Sequence, residues 1–324
     1  MFSNALRQQR TADYDTAFTC DPKLQLHFRK LQLFDKEWID TLLKAEDSLS
    51  SVGCFGTLYL WGNFYGLEIA KMGSRLISRY TSEKEITFGY PMGSGNLQGA
   101  ILAMWQSAKK TEISFVMRGV TEQQVEQLKQ IFPDRFSIAE TRDTADYIYE
   151  AQALAQLAGN KLHGKRNHCN QFMKRYPDWR FEILTADHVQ DCLSLLEQWE
   201  TTRQTVTTSE QTAEPEAIKK SFAAYDELNL DGGILFVGNQ PVAFTMGEKV
   251  GRQGFDVRFE KAETAYDGSY TMINREFVRF LLEKYKDLVY INREEDLGLE
   301  NLRKAKLSYK PALLLKKYDV YWKE

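Results

Sequence analysis

Tyr290-Ile-Asn-Arg-Glu-Glu-Asp-Leu-Gly-Leu-Glu-Asn-Leu-Arg-Lys-Ala-Lys-Leu-Ser-Tyr-Lys-Pro311 sets a strand, a turn and a helix end to end. Leu288, Val289, Tyr290 and Ile291 form an apolar run of strand formers. Asn292 to Asp296 crowd polar side chains into one turn, and Gly298 supplies a flexible joint. Leu299, Leu302 and Leu307 mark one helical face, with Arg303, Lys304 and Lys306 mostly off it. The stretch predicts a buried strand that ends in a charged loop and feeds a short basic helix. Ligands of α/β sheets sit at strand carboxyl ends beside helix N-termini, so the chemistry is expected here. A solvated turn is the competing reading of the same charges.

Upstream, the second half reads as strand Phe181–Leu184, helix Val189–Trp199 and a polar loop Thr201–Glu214. A helix from Pro215, a hairpin around Gly238-Asn239, strand Phe255–Glu260 and helix Ser269–Tyr285 follow. The first half reads similarly. A strand near Leu24–Leu31 precedes a helix from Lys36 capped by Asp35. Short strands Thr57–Gly62, Gly66–Met72, Arg75–Tyr80 and Glu85–Tyr90 form an antiparallel meander. A glycine-containing loop and a helix to Lys110 come next. Strand Ile113–Met117, a Thr121-capped helix and strand Tyr147–Tyr149 complete the half. Phe88–Leu128 and Phe259–Leu302 share this order, so two copies of one α/β unit are expected, residues 1–150 and 151–324.

Glu150–Tyr176 reads as one long helix at the join. Its part Lys161–Tyr176 carries five Lys or Arg and no acid, which fits either a solvated face or a phosphate-binding surface. Gly93-x-Gly95-x-x-x-Gly99 matches a dinucleotide loop only loosely and is better read as a structural turn. The net charge of −3 gives no global pull toward nucleic acid or anionic lipid, so any basic site is local. Four scattered cysteines without a Cys-x-x-Cys pair suggest neither a disulfide framework nor a zinc site. His163 and His168 are too poorly spaced for a shared metal, and no metal is expected. With no apolar leader and no run of about 20 apolar residues, the sequence reads as a soluble, cytoplasmic chain.

Four stretches carry a family resemblance: Leu157–Phe172, Val257–Ala262, Tyr266–Phe277 and Ile291–Tyr309, the last being the most specific. They resemble the C-terminal domain of phosphatidylglycerol lysyltransferase, including its uncharacterised bacterial members. The resemblance implies an α+β chain of two tandem GNAT-like acyltransferase domains with mostly antiparallel twisted sheets. It also implies an aminoacyl group moved from aminoacyl-tRNA to a hydroxyl or amine, the acceptor being a small molecule, peptide or lipid. The lipid-modifying relatives carry membrane spans that this sequence lacks, and the coenzyme A loop of the superfamily is not evident in the second half. An acyl-CoA-dependent N-acetyltransferase and a non-catalytic binding module stay open.

Acyl transfer needs a positioned nucleophile, a proton acceptor and donors to the developing oxyanion. Glu260, Asp267 and Asp296 are candidate proton acceptors or amine binders, with Asn292, Arg293, Lys304 and Lys306 as candidate donors to oxyanion or phosphate. Lys161, His163, Lys165, Arg166, His168 and Arg303 complete the expected donor-binding set. Structural ion pairs are the competing reading of this group.

Overall fold

A computed structural model describes residues 25–83, 85–202 and 208–323. In the first half, β1 (Arg29–Lys30), β2 (Leu67–Met72), β3 (Arg75–Thr81), β4 (Ile86–Phe88), β5 (Met92–Gly93), β6 (Val116–Thr121) and β7 (Phe136–Glu140) alternate with helices. These are α1 (Lys36–Glu46), α2 (Phe55–Gly62), α3 (Leu97–Lys110) and α4 (Glu122–Ile131). The second half begins with β8 (Asp146–Glu150), α5 (Ala151–Gln156), α6 (His163–Arg175), β9 (Trp179–Ile183), α7 (Val189–Thr202) and α8 (Ser209–Ala223). It continues through β10 (Asp231–Val237), β11 (Gln240–Val250), β12 (Gly254–Ala262), α9 (Ser269–Lys284), β13 (Tyr290–Asn292), α10 (Glu300–Ser308), β14 (Leu313–Leu315) and β15 (Lys317–Trp322).

The described strands form two mostly antiparallel sheets. The first runs β1-β2-β3-β4-β6-β15-β7 and the second β14-β8-β13-β12-β11-β10-β9. Each contains one parallel pair, β4 with β6 and β12 with β13, and α3 or α9 makes the crossing. The expected meander plus β-α-β plan is therefore present in both halves.

Two strands lie across the 150 boundary. β8, read from sequence as the last strand of the first half, sits between β13 and β14 of the second sheet. In return, β15 sits between β6 and β7 of the first sheet. Val320 on β15 is fully buried in the core of Phe88, Met117 and Leu128 beneath α3 and α4. A second core of Phe55, Leu58, Leu196, Ile218, Phe244 and Phe259 joins α2 to α7 and α8 and so fuses the halves.

Several local expectations are corrected. Thr57–Gly62 lies in a helix, α2, because a short run that is apolar all round has no period to separate strand from buried helix. The predicted long helix from Glu150 breaks where Leu157 takes a left-handed φ of 50° and Gly159 one of 73°. α8 begins at Ser209 under a Thr208 capping box, so Pro215 lies within it. Asp35 does not cap α1; it is buried and binds the guanidinium of Arg29 and the indole of Trp38. Leu24 and residues 203–207 of the Thr201–Glu214 loop lie outside the described residues. Among the described residues no helix is long and apolar enough to cross a membrane.

Candidate active site

β12 and β13 run parallel only as far as the pair Asp256–Asn292. Beyond it β12 continues to Ala262, while the other chain turns away at Arg293, so a wedge opens at the carboxyl ends. β12 also carries a bulge: Met246 faces Phe259 and Gly247 faces Val257, leaving Arg258 as the extra residue. The bulge inverts the side-chain alternation. Phe255 and Val257 pack with Phe277 of α9, whereas Phe259 packs with Leu196 and Ile218 on the other face. Glu260 is thereby delivered to the α9 face, and Asp256 and Arg258 to the opposite one.

On the α9 face five side chains converge. Arg293 Nη2 donates to Glu260 Oε1 at 2.8 Å, and Asn274 Nδ2 of α9 donates to Glu260 Oε2 at 3.3 Å. The Tyr309 ring lies 4.9 Å from the Arg293 guanidinium, and the Lys165 ammonium sits 4.0 Å from the same ring. Arg293 Nη1 and Asn274 Oδ1 are buried without a hydrogen-bond partner. The cup thus holds two cations against one carboxylate, with one spare donor and one spare acceptor. Burial of the Lys165 amine, reinforced by the nearby Arg293 charge, lowers its pKa despite Glu260.

On the other face, Arg258 donates to Glu248 Oε1 at 2.7 Å, Asp256 Oδ2 at 2.9 Å and Thr57 Oγ1 at 2.8 Å. Gly56 leaves room for this pair: a Cβ there would lie 2.1 Å from Glu248 Oε1. Nearby, Lys317 of β15 donates to Asp146 Oδ1 at 2.7 Å and to Ser51 Oγ at 3.1 Å. Acids outnumber cations in this buried region. Burial pushes the Asp256 carboxyl up to about 7 although Arg258 opposes it, and raises Glu294 and Glu295 as well.

The remaining predicted residues divide into pins and surface charges. Asn292 Nδ2 donates to Leu49 O at 2.8 Å, and its Oδ1 accepts from Glu294 N at 2.6 Å. Lys306 spends its three protons on the carbonyls of Arg293, Glu294 and Glu295, clamping a turn in which Glu294 has a φ of 56°. Burial first, and then Arg293, lower its pKa to about 8. Asp296 is fully buried and accepts five bonds, from Gly298 N, Tyr147 Oη, Arg142 and two nitrogens of Arg303. Burial would raise its carboxyl, but the bonds from Arg303, Tyr147 and Gly298 outweigh that and hold it at about 2. With both oxygens filled, Asp296 and Arg303 fix the loop.

Asp267, Lys161, His163, His168 and Lys304 are exposed, and Lys304 pairs with Glu300. Arg166 is tied to the carbonyls of Leu157 and Gly159. Of the predicted residues, the wedge therefore joins Glu260, Arg293 and Lys165. Asn274 and Tyr309 join them without standing out in the sequence, where a lone amide inside the Ile273–Phe277 apolar face of α9 is the available signal. Asp256 and Arg258 alternate with apolar residues as solvent-facing positions do, and nothing in the sequence marks them as buried.

Residues 47–321 match the family described as phosphatidylglycerol lysyltransferase, C-terminal. The chain belongs to this family. A conserved protein of unknown function from Bacteroides thetaiotaomicron is similar at 36% identity, with a TM-score of 0.87 over 92% of this chain and all of that one. The C-terminal domain of a lysylphosphatidylglycerol synthetase from Agrobacterium fabrum shares the fold at 13% identity, with a TM-score of 0.61 over 90% of this chain and 92% of that one. A tandem GNAT protein from the clavulanic acid biosynthesis pathway shares it at 8% identity and a TM-score of 0.50, over 92% and 98%. An uncharacterized protein of Mycoplasmoides gallisepticum is 25% identical over 182 residues, 55% of this chain, and the match spans only 56% of that relative's length. The architecture is thus that of tandem GNAT-like domains.

Proposed function

We propose that this member of the family is an acyltransferase working in the Glu260–Asn274–Arg293–Tyr309–Lys165 cup, with an aminoacyl ester on tRNA as donor and a hydroxyl or amine as acceptor. The observation that carries the reading is the pair of unfilled groups flanking Glu260. An orphaned buried donor or acceptor costs on the order of 1–3 kcal/mol unless something fills it. Arg293 Nη1 suits an acyl carbonyl oxygen, whose negative charge grows during attack. Asn274 Oδ1 suits the N–H or O–H of an incoming acceptor. Glu260 holds both in register. The exposed Lys161, His163 and His168, on or just before the helix that carries Lys165, offer a track for donor phosphates.

The test follows labelled acyl groups from a set of aminoacyl-tRNAs and from acetyl-CoA into extracted lipids, peptides and free amines. Arg293→Met and Asn274→Ala should each lower kcat by about 100-fold. Transfer at the wild-type rate in both variants would sink the reading, and transfer from acetyl-CoA alone would move the donor to a thioester.

A further inference from the structure

We infer that Lys165 is the proton acceptor of the transfer, shuttling a proton from the acceptor nucleophile to the leaving group. The inference rests on the acyl-transfer reading. The carboxylates in and around the cup are spent or misplaced. Asp296 is filled by five donors, Glu260 is bound by Arg293 and Asn274, and Asp267 is on the surface. Of the other titratable groups in the cup, the Tyr309 hydroxyl donates to Thr271 Oγ1 at 3.4 Å and Arg293 stays charged beside Glu260, which leaves the Lys165 amine. It is half-buried on the face of Tyr309 and, among the described residues, has no carboxylate within salt-bridge distance. The groups that face it are Arg293 after β13, Glu260 on β12, Tyr309 after α10 and Cys169 on its own helix. Burial and the Arg293 charge favour the neutral amine, and Glu260 opposes them.

In the step, the acceptor's oxygen or nitrogen attacks the acyl carbonyl and its proton moves to the neutral Nζ. The bond between the acyl carbon and the ribose oxygen then breaks, and that oxygen takes the proton back. Lys165 ends neutral, and Arg293 Nη1 carries the oxyanion in between.

Two measurements test this. Competitive labelling of the intact protein with acetic anhydride across pH, read by mass spectrometry, gives a titration midpoint for each lysine. Lys165 should titrate below the ordinary lysine value, and a midpoint at that value would overturn the inference. Transfer is then followed against pH in wild type, Lys165→Met and Lys165→Arg. Both variants should lose roughly 100-fold or more in kcat with little change in KM, and both should lose the rising limb of the pH profile. Arginine should not rescue, because a guanidinium stays protonated. Rescue by arginine would make Lys165 an anion-binding charge and refute only this inference. Absence of transfer by the wild type from every donor would refute the acyl-transfer reading, and this inference with it, whatever the labelling midpoint.

Discussion

Asp296→Asn is expected to act on stability before it acts on chemistry. The side chain keeps its shape but loses its charge, and one oxygen becomes an amide whose protons meet the donors of Arg303, Arg142 and Tyr147. Arg303 and Arg142 are about one-third exposed and can turn to water, so their lost bonds cost less than buried charges would. The Tyr147 hydroxyl belongs to a fully buried residue and has nowhere to turn. Losing a bidentate charged pair and one further charged bond, at about 1.5–3 kcal/mol each and with partial recovery in water, gives a cost of about 3 kcal/mol. For a chain of this size that is about 4–5 °C in Tm. Urea titration and thermal melting with the same optical probe read it directly. A variant that melts within about 1 °C of wild type while losing all transfer would refute the structural role and return Asp296 to the chemistry.

Arg258→Met strands Asp256 and Glu248 as buried carboxylates and should cost about 3–5 kcal/mol, seen as a lower urea midpoint; an unchanged midpoint would mean the pair is solvated. Because the Asp256 carboxyl titrates near 7 when folded and near 4 when unfolded, the native state holds an extra proton in between. Stability should therefore fall as pH rises from about 4 to about 7 and level off above, and Asp256→Asn should flatten that slope. Parallel curves for the two proteins would contradict this. Lys306→Met should release the 293–295 turn, raising its amide hydrogen exchange while leaving α3 and α4 protected; unchanged exchange would show that the clamp is redundant.

The element order was largely legible because hairpin turns, caps and the apolar faces of α4 and α9 write themselves into local sequence. Strand exchange was not, since Tyr147-Ile-Tyr149 is an equally good strand beside either sheet and only long-range pairing decides. The site was half legible. Residues 292–296 announce themselves as polar groups after a strand, but their roles depend on what reaches them from far away. Lys306 and Arg303 look like surface charges on a short helix, yet both turn back onto the loop. Glu260 and Arg258 share one strand parity in the sequence, and a single extra residue in β12 sends them to different sites. Its trace in the sequence is Gly247 on the facing strand, where a Cβ would lie 1.9 Å from Asp256 O.

The reciprocal placement of β8 and β15 also fixes the order in which the molecule can be finished during synthesis. Residues 25–140 leave the ribosome before the second half, but their sheet has a vacant slot between Val116–Thr121 and Phe136–Glu140. The strand that fills it, Lys317–Trp322, is translated after every other element of both sheets. Until then the facing edges of β6 and β7 carry unpaired backbone groups, and the pocket for Val320 is unfilled. The nascent first half is therefore a partly open sheet for most of its translation, the kind of species that chaperones shelter. A ribosome stalled near residue 316 would hold a chain whose first sheet still lacks its β15.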